Sequence, residues 1–418
     1  MPQATSALRS GYKSSTMGPP SLTRSVSREA AILNDSLIHP SMKKRILVLG
    51  AGFGGLELST MLSEACGDSI EVTLIDKSDS FYFGFSKLDV MFGHARPNAV
   101  RLPYKKFVKP GVRLLQETIS LVDPIAKRVT TDRGAHDADF LVVALGADYD
   151  FAATPGMADA TEFYTLAGAT RLGEILPAFT KGRVLIAVGG APFKCPPAPS
   201  EAALMMHDYL STRGIRSACE ITLILPLEVP IPPSPETSRA LLAAFAERNI
   251  TFVGDRELRL VDTQRRVVTL DDGREFPYDL FLGVPAIRAP KILEDSGMTE
   301  DGYVPVKPKT LETLFPDVYA VGDCARQGTP KAGVFAEGAA RAVAKSLIAR
   351  LRHQEAPVTH AGKGSCYIEF GAGRIGRVDV DFFSNPDHPT GTYYEPSVAL
   401  RADKEHFGSS RRARWFGL

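Results

Sequence analysis

Cysteine is scarce in this 418-residue sequence, which holds five, and tryptophan occurs once. Five cysteines cannot build the disulfide framework of a small secreted protein, and the odd count leaves at least one thiol unpaired. Long apolar runs are missing as well. The longest, residues 140–145 and 184–188, fall far short of the ~20 residues that a membrane-crossing helix needs. Charge of one sign is also lacking, since 49 Lys and Arg stand against 48 Asp and Glu for a net +1. The chain therefore carries no overall electrostatic footprint for nucleic acid, and no such partner is expected. What is present is 44% hydrophobic and 23% charged residues, the balance of a soluble globular protein with ample material for a core. At about 150 residues per domain, the length suggests about three domains.

Both ends stand apart in composition. Residues 1–42 are rich in Ser, Thr, Pro and Gly, with Arg9, Lys13, Arg24 and Arg28 against Glu29 and Asp35. A secretory signal needs an uninterrupted apolar core of about 7–15 residues, and Asn34 and Asp35 break the best candidate, residues 30–38. The segment reads as a disordered tail, or as an upstream start with Met42 the natural beginning; an organelle transit peptide is the third alternative. Residues 401–418 hold five basic side chains, and Trp415 stands beside Phe416. Basic and aromatic residues together can seat a segment on an anionic membrane surface. Docking on the protein itself is the competing expectation. The expected location is cytoplasmic, with peripheral contact at the inner membrane face left open, as is a homo-oligomer.

The strongest motif begins at residue 45. Residues 45–49, Arg-Ile-Leu-Val-Leu, read as a buried parallel strand that runs into Gly50-Ala-Gly52-Phe-Gly54-Gly55 and then into a helical pattern at Leu56, Leu58, Met61 and Leu62. In this context Gly50 permits the tight turn, Gly52 lets the backbone approach a pyrophosphate, and Gly55 lets helix and strand pack closely. A second apolar strand, residues 70–75, ends at Asp76, followed by Lys77. An acid there accepts hydrogen bonds from a ribose 2′-hydroxyl and disfavours a 2′-phosphate. The pattern points to an adenine dinucleotide.

A third strand, residues 140–144, ends in Leu145-Gly146-Ala147, and a fourth, within residues 317–323, ends in Gly322-Asp323. These segments resemble the second and third flavin fingerprints of the two-dinucleotide-domain flavoproteins, which include the pyridine nucleotide–disulfide oxidoreductases. The resemblance implies FAD, with Asp323 on its ribityl chain. It also implies that the helix opened by residues 329–337, Gly333 included, points its N-terminus at the flavin and stabilises negative charge on the reduced ring; Lys331 either adds to that effect in the cofactor site or is a plain surface lysine.

A second GxGxxG would be needed for a nicotinamide cofactor, and it is not intact. The strand at residues 183–188 leads to Gly189-Gly190, but the third glycine is absent, and four prolines lie among residues 192–199. They imply a stiff, extended path short of N–H donors, with helical pattern resuming only at Ser200. In this place stands Cys195, after Lys194 and before a helix N-terminus, two features that lower a thiol pKa.

Cys-Pro-Pro-Ala-Pro-x-Glu-Ala-Ala from Cys195 resembles the active-site segment of sulfide:quinone oxidoreductases and of the flavin subunit of flavocytochrome c sulfide dehydrogenases. The resemblance covers roughly residues 44–418. It implies a redox pair of Cys195 with Cys366, the latter on the flavin side, and a candidate proton-handling carboxylate at Glu201. Glu201 serves that role only if burial raises its pKa; otherwise it is a first-turn acid favoured by the helix dipole. Hydrosulfide would open the oxidised pair, leaving a persulfide on one cysteine and a thiolate on the other that can add to the flavin, and breakdown of that adduct would deliver two electrons to FAD. The flavocytochrome subunit binds FAD through a cysteine near the segment that matches Phe81-Tyr82-Phe83-Gly84. None stands there in this chain, so the FAD is expected to be non-covalent. Cys66 and Cys219 read as packing or surface thiols, and Cys324 as structural.

The expected fold class is α/β, with two Rossmann-like domains and a C-terminal α+β cap. Residues 43–150 and 298–345 would form the FAD domain, 151–297 an inserted second domain carrying Cys195, and 346–418 the cap. The leading expectation is a sulfide- or persulfide-oxidising flavoprotein using a quinone or another acceptor. An NAD(P)H-dependent flavin dehydrogenase or thiol reductase, and a flavin-binding protein for sensing or assembly, are the alternatives.

Overall fold

Strand β1 (Lys44–Leu49) is apolar on both faces because both are covered. Ile46 and Val48 pack with Leu56, Leu58 and Leu62 of helix α1 (Phe53–Cys66). Leu47 and Leu49 pack on the other side with Leu141 and Val143. Each such side chain taken out of water contributes ~1.5–3 kcal/mol before conformational entropy is subtracted. The computed structural model describes residues 43–355 and 359–418, so the expected tail at 1–42 lies outside the described residues.

β2 (Ile70–Asp76) lies parallel to β1 with Leu49 opposite Ile75. The short helix α2 (Ser86–Met91) leads on to β3 (Val112–Gln116), parallel to β2. An antiparallel excursion of β4 (Ile119–Asp123), β5 (Arg128–Thr131) and β6 (Gly134–Asp137) returns the chain as β7 (Phe140–Val143), parallel to β1 with Leu49 opposite Val143.

Helix α3 (Leu166–Ile175) opens the middle of the chain and is followed by β8 (Gly182–Val188) and α4 (Ala198–Thr212). Then come β9 (Cys219–Ile224), α5 (Pro235–Glu247) and β10 (Ile250–Val253). The antiparallel strands β11 (Leu258–Asp262), β12 (Val267–Leu270) and β13 (Glu275–Pro277) precede β14 (Leu280–Val284). The parallel sheet runs β10-β9-β8-β14. Here α4 starts at Ala198, two residues before the expected Ser200. The prolines do not hold the whole stretch extended, because a helix's first turn has no use for the N–H that proline lacks.

β15 (Val318–Ala320) rejoins the first sheet beside β7, giving the order β15-β7-β1-β2-β3. Helix α6 (Gly333–Leu351) packs along α1 and runs unbroken through residues 345 and 346, where a boundary was expected. The antiparallel strands β16 (Lys363–Glu369), β17 (Ile375–Asp381) and β18 (Thr390–Ser397) follow, then α7 (Leu400–Arg411) and a π-helical turn at Arg412–Phe416. The whole is an α/β fold with two Rossmann-like parallel sheets.

The C-terminal turn is docked on its own protein. Trp415 is fully buried and Phe416 nearly so, both in the cluster with Leu56 and Phe81. Trp415 donates its indole N–H to Glu57 at 2.8 Å. Arg414 bonds Glu57 and Glu64, and Arg411 bonds Glu337. These two aromatic side chains are therefore packed into the protein's own core, as the docking expectation for this segment has it. Among the described residues, no helix is long and apolar enough to cross a membrane.

Candidate active site

The C-terminal ends of β1, β2, β7 and β15 meet at one edge of the first sheet, where Gly50, Asp76, Ala144 and Val321 line a cavity of about 570 Å³. Of the cofactor residues expected from sequence, Gly50, Gly52, Gly54, Asp76, Lys77, Gly146, Gly322, Asp323, Lys331 and Gly333 all line it, with Cys195 and Glu201 at the same cavity. Gly55 and Cys366 lie outside this lining.

The cradle fits a pyrophosphate. Gly50 has φ +97, and a Cβ there would meet the Ala144 carbonyl oxygen at 2.4 Å. A Cβ on Gly55 would lie 1.9 Å from the Gly50 carbonyl oxygen, so α1 and the turn touch backbone to backbone. At Gly52 a Cβ would meet nothing within 4 Å, which leaves open space beside the backbone. No side chain caps α1, so its first N–H groups are left for an anion. The Asp76 carboxylate accepts from the N–H groups of Ala51 (2.7 Å) and Ser78 (2.8 Å), which fixes it on the cavity wall. Tyr104, unremarked in the sequence, also lines the cavity and donates to the Ala51 carbonyl at 2.8 Å.

At the other end, Gly322 and Asp323 follow β15, and α6 opens onto the cavity without a capping side chain or a first-turn acid. Lys331 is buried, donates to the Ala325 carbonyl at 2.7 Å and lies over the Tyr303 ring at 4.1 Å. Burial lowers its pKa while Asp323 raises it. Cys324 is fully buried with its thiol toward the Val143 and Val321 carbonyls, as a structural residue would be.

Cys195 is held in the wall by backbone contacts. Its N–H donates to the Lys331 carbonyl at 2.8 Å, and its carbonyl accepts from Ala198 at 2.9 Å. Its φ is 48, the left-handed region that non-glycine residues seldom occupy, and such positions collect at functional sites. The expected lowering of its pKa is not found. Burial pushes the thiol far above its ordinary range, and Glu201 and Cys366 add to the rise. Lys194, counted on to oppose this, instead donates to the Ala147 carbonyl at 2.6 Å and sits over the Tyr149 ring at 4.4 Å. The cation that does act on Cys195 is Lys87.

Glu201, in the first turn of α4, is 3% exposed. Burial raises its pKa to about 7, which meets the condition for a proton-handling group. Its Oε1 accepts from the Glu369 N–H at 3.0 Å, tying α4 to β16, the strand that carries Cys366. Burial likewise pushes Cys366 up to about 12, with Glu201 adding to it. Both cysteines retain some exposed surface and neither is in a disulfide.

Three groups at this end escaped the sequence reading. Lys87, on α2, lines the cavity and bonds the Tyr164 carbonyl at 2.5 Å; burial brings its pKa down to about 8. Tyr149 donates to the same carbonyl at 2.6 Å, and Tyr164 also lines the cavity. No motif marks them, because they come from three segments that only the fold assembles. Lys87 lies two residues after Phe85 of the Phe-rich stretch beside the cavity, and that was the one available signal.

Residues 44–340 match the family model for pyridine nucleotide-disulphide oxidoreductases. The mitochondrial sulfide:quinone oxidoreductase of Mus musculus is 22% identical over 356 residues, 82% of this chain and 79% of that protein. A type II NADH:quinone oxidoreductase of Staphylococcus saprophyticus is 26% identical over 68% of this chain and 74% of its own. The crystal structure of the sulfide:quinone oxidoreductase from Aquifex aeolicus superposes with a TM-score of 0.78 at 21% identity, covering 90% of this chain and 93% of that one. With the dinucleotide cradle in place and the family model matching most of its length, this chain belongs to the pyridine nucleotide-disulphide oxidoreductases and is an FAD-dependent oxidoreductase.

Proposed function

We propose that this protein oxidises sulfide, or a persulfide or small thiol, through Cys195 and Cys366, with electrons passing by way of FAD to a quinone or another acceptor. The observation that carries this reading is the position of Cys195. It lines the cofactor cavity in a left-handed backbone conformation, close enough to Glu201 and Cys366 for both to act on its thiol. Two named relatives, the sulfide:quinone and type II NADH:quinone oxidoreductases, support a quinone as acceptor.

In the oxidised state the two sulfurs are joined, and hydrosulfide attacks one of them. Glu201 takes the proton of the attacking sulfur. One cysteine is left as a persulfide anion and the other as a thiolate. Together these two anions give up two electrons and close again with one extra sulfur between them. FAD, when bound, supplies the two-electron acceptor. Lys87 supports Cys195 as the released thiolate, since it is the cation that favours charge on that sulfur. Hydrosulfide would then attack Cys366, which reverses the flavin-facing assignment implied by family resemblance.

Anaerobic rapid mixing of the purified holoprotein with sulfide or with NADH tests the reading. Flavin bleaching by sulfide but not by NADH is expected. Bleaching by NADH alone would overturn it in favour of a nicotinamide-dependent dehydrogenase.

A further inference from the structure

Besides lining the cofactor cavity, Glu201 reaches the C-terminal helix. Lys404 of α7 places its ammonium 4.0 Å from Glu201 Oε1 and donates to Glu369 Oε1 at 2.5 Å. Glu369 in turn supplies the backbone N–H that holds Glu201. The side chains of Lys404 and Glu369 are each 18% exposed against 4% for Glu201, so the pair stands between the buried carboxyl and solvent.

We infer that Lys404 is a positioning residue that sets the proton affinity of Glu201, and that Glu369 divides its charge. The inference deepens the proposed role of Glu201 and rests on that reading for its use in catalysis. The groups facing Glu201 come from every element packed around it. Asp89 comes from α2, Cys195 from the segment before α4, Tyr164 from the segment before α3, Cys366 and Glu369 from β16, and Lys404 from α7. Lys404 is the cation among these, and the others are acids, thiols or a phenol. Burial and the acids Glu369 and Asp89 favour the neutral carboxyl, and Lys404 opposes them. The lysine keeps its own charge. Burial works against it, but Glu201, Glu369 and Asp89 together outweigh that loss. A charge 4 Å away inside a protein is screened far less than one in water. The C-terminal helix thus does more than cover the site, because it carries the charge that brings a buried carboxyl into range of neutral pH.

The test titrates Glu201 itself in the FAD-loaded protein, through the infrared band of its protonated carboxyl, assigned by its loss in Glu201→Gln. Lys404→Met is expected to raise the midpoint by at least ~1 pH unit, a tenfold change in proton affinity. Lys404→Arg should restore it. Glu369→Gln removes the acid that opposes Lys404 and should move the midpoint down. A general loosening of α7 would move both variants the same way, so opposite shifts are the signature of the charge. An unchanged midpoint in Lys404→Met, or equal shifts for Met and Arg, overturns the inference. Because the readout needs no substrate, the expected shifts in a protein inert to sulfide would sink the proposed function and leave this inference standing.

Discussion

Removing the indole of Trp415 should destabilise the protein far more than removing a side chain from a free tail. Trp415 is fully buried, with its ring edge-on to Phe53 (5.8 Å) and Phe81 (5.6 Å) and stacked on Phe83 at 6.4 Å. Truncating such a residue to alanine costs ~3–5 kcal/mol in lost burial and cavity formation. It also strips one donor from Glu57, which is 1% exposed. Burial raises the pKa of that carboxyl, but Arg341, Trp415 and Arg414 outweigh it and hold it below the ordinary range. A hydrogen bond to a charged group contributes about 1.5–3 kcal/mol, and the two arginines keep part of it in place. Trp415→Ala should therefore cost about 4–6 kcal/mol, and Trp415→Phe, which keeps most of the volume, about 1.5–3 kcal/mol. Urea unfolding followed by far-ultraviolet circular dichroism measures both. As the single tryptophan, Trp415 also reports its own environment, and its emission should be blue-shifted in the native protein. Surface substitutions usually stay within about 0.5 kcal/mol, so a Trp415→Ala cost below ~1 kcal/mol with red, solvent-like emission would refute the docked C-terminus.

Three further outcomes follow from the geometry. Gly55→Ala places a methyl 1.9 Å from the Gly50 carbonyl oxygen, so the turn must shift. A loss of about 1–3 kcal/mol and reduced flavin content at purification are expected, read by unfolding and by absorbance. Glu201→Gln should lower sulfide-driven flavin reduction by roughly 10²–10⁴-fold. It should also erase the rise in rate as pH increases through about 7, where the carboxyl becomes ionised and able to take a proton. His360 is 3% exposed, its Nε2 has no hydrogen-bond partner among the described residues, and burial lowers its pKa from 6.5 to about 4. Between those values the unfolded chain binds the extra proton, so stability is complete above pH 6.5 and falls by about 3 kcal/mol toward pH 4. In His360→Gln that part of the acid dependence should vanish from unfolding midpoints.

Strand-to-glycine junctions were the most legible part of the chain. Residues 44–55 announce themselves because a buried parallel strand must be continuously apolar, and a turn with backbone 1.9 Å from where a Cβ would sit admits glycine alone. The same logic placed Asp76, Gly146, Gly322 and Asp323 at one cavity from segments far apart in sequence. Local chemistry was less reliable where the fold decides which neighbour matters. Lys194 is adjacent to Cys195 in sequence, yet its ammonium is spent on Ala147 and Tyr149. Lys87, remote in sequence, acts on the thiol instead. The thiol pKa was misjudged for the same reason, since burial is a property of packing and no dipeptide encodes it. The basic-aromatic C-terminus was ambiguous because Arg and Trp serve a membrane surface and a buried carboxylate such as Glu57 equally well.

The central claim, that Cys195 and Cys366 work as one redox pair at the flavin, is tested most directly by stopped-flow reduction with sulfide in the absence of oxygen. Wild type should bleach its flavin, and Cys195→Ser and Cys366→Ser should each abolish the reaction while retaining bound FAD. Full-rate bleaching in either variant would contradict the pair.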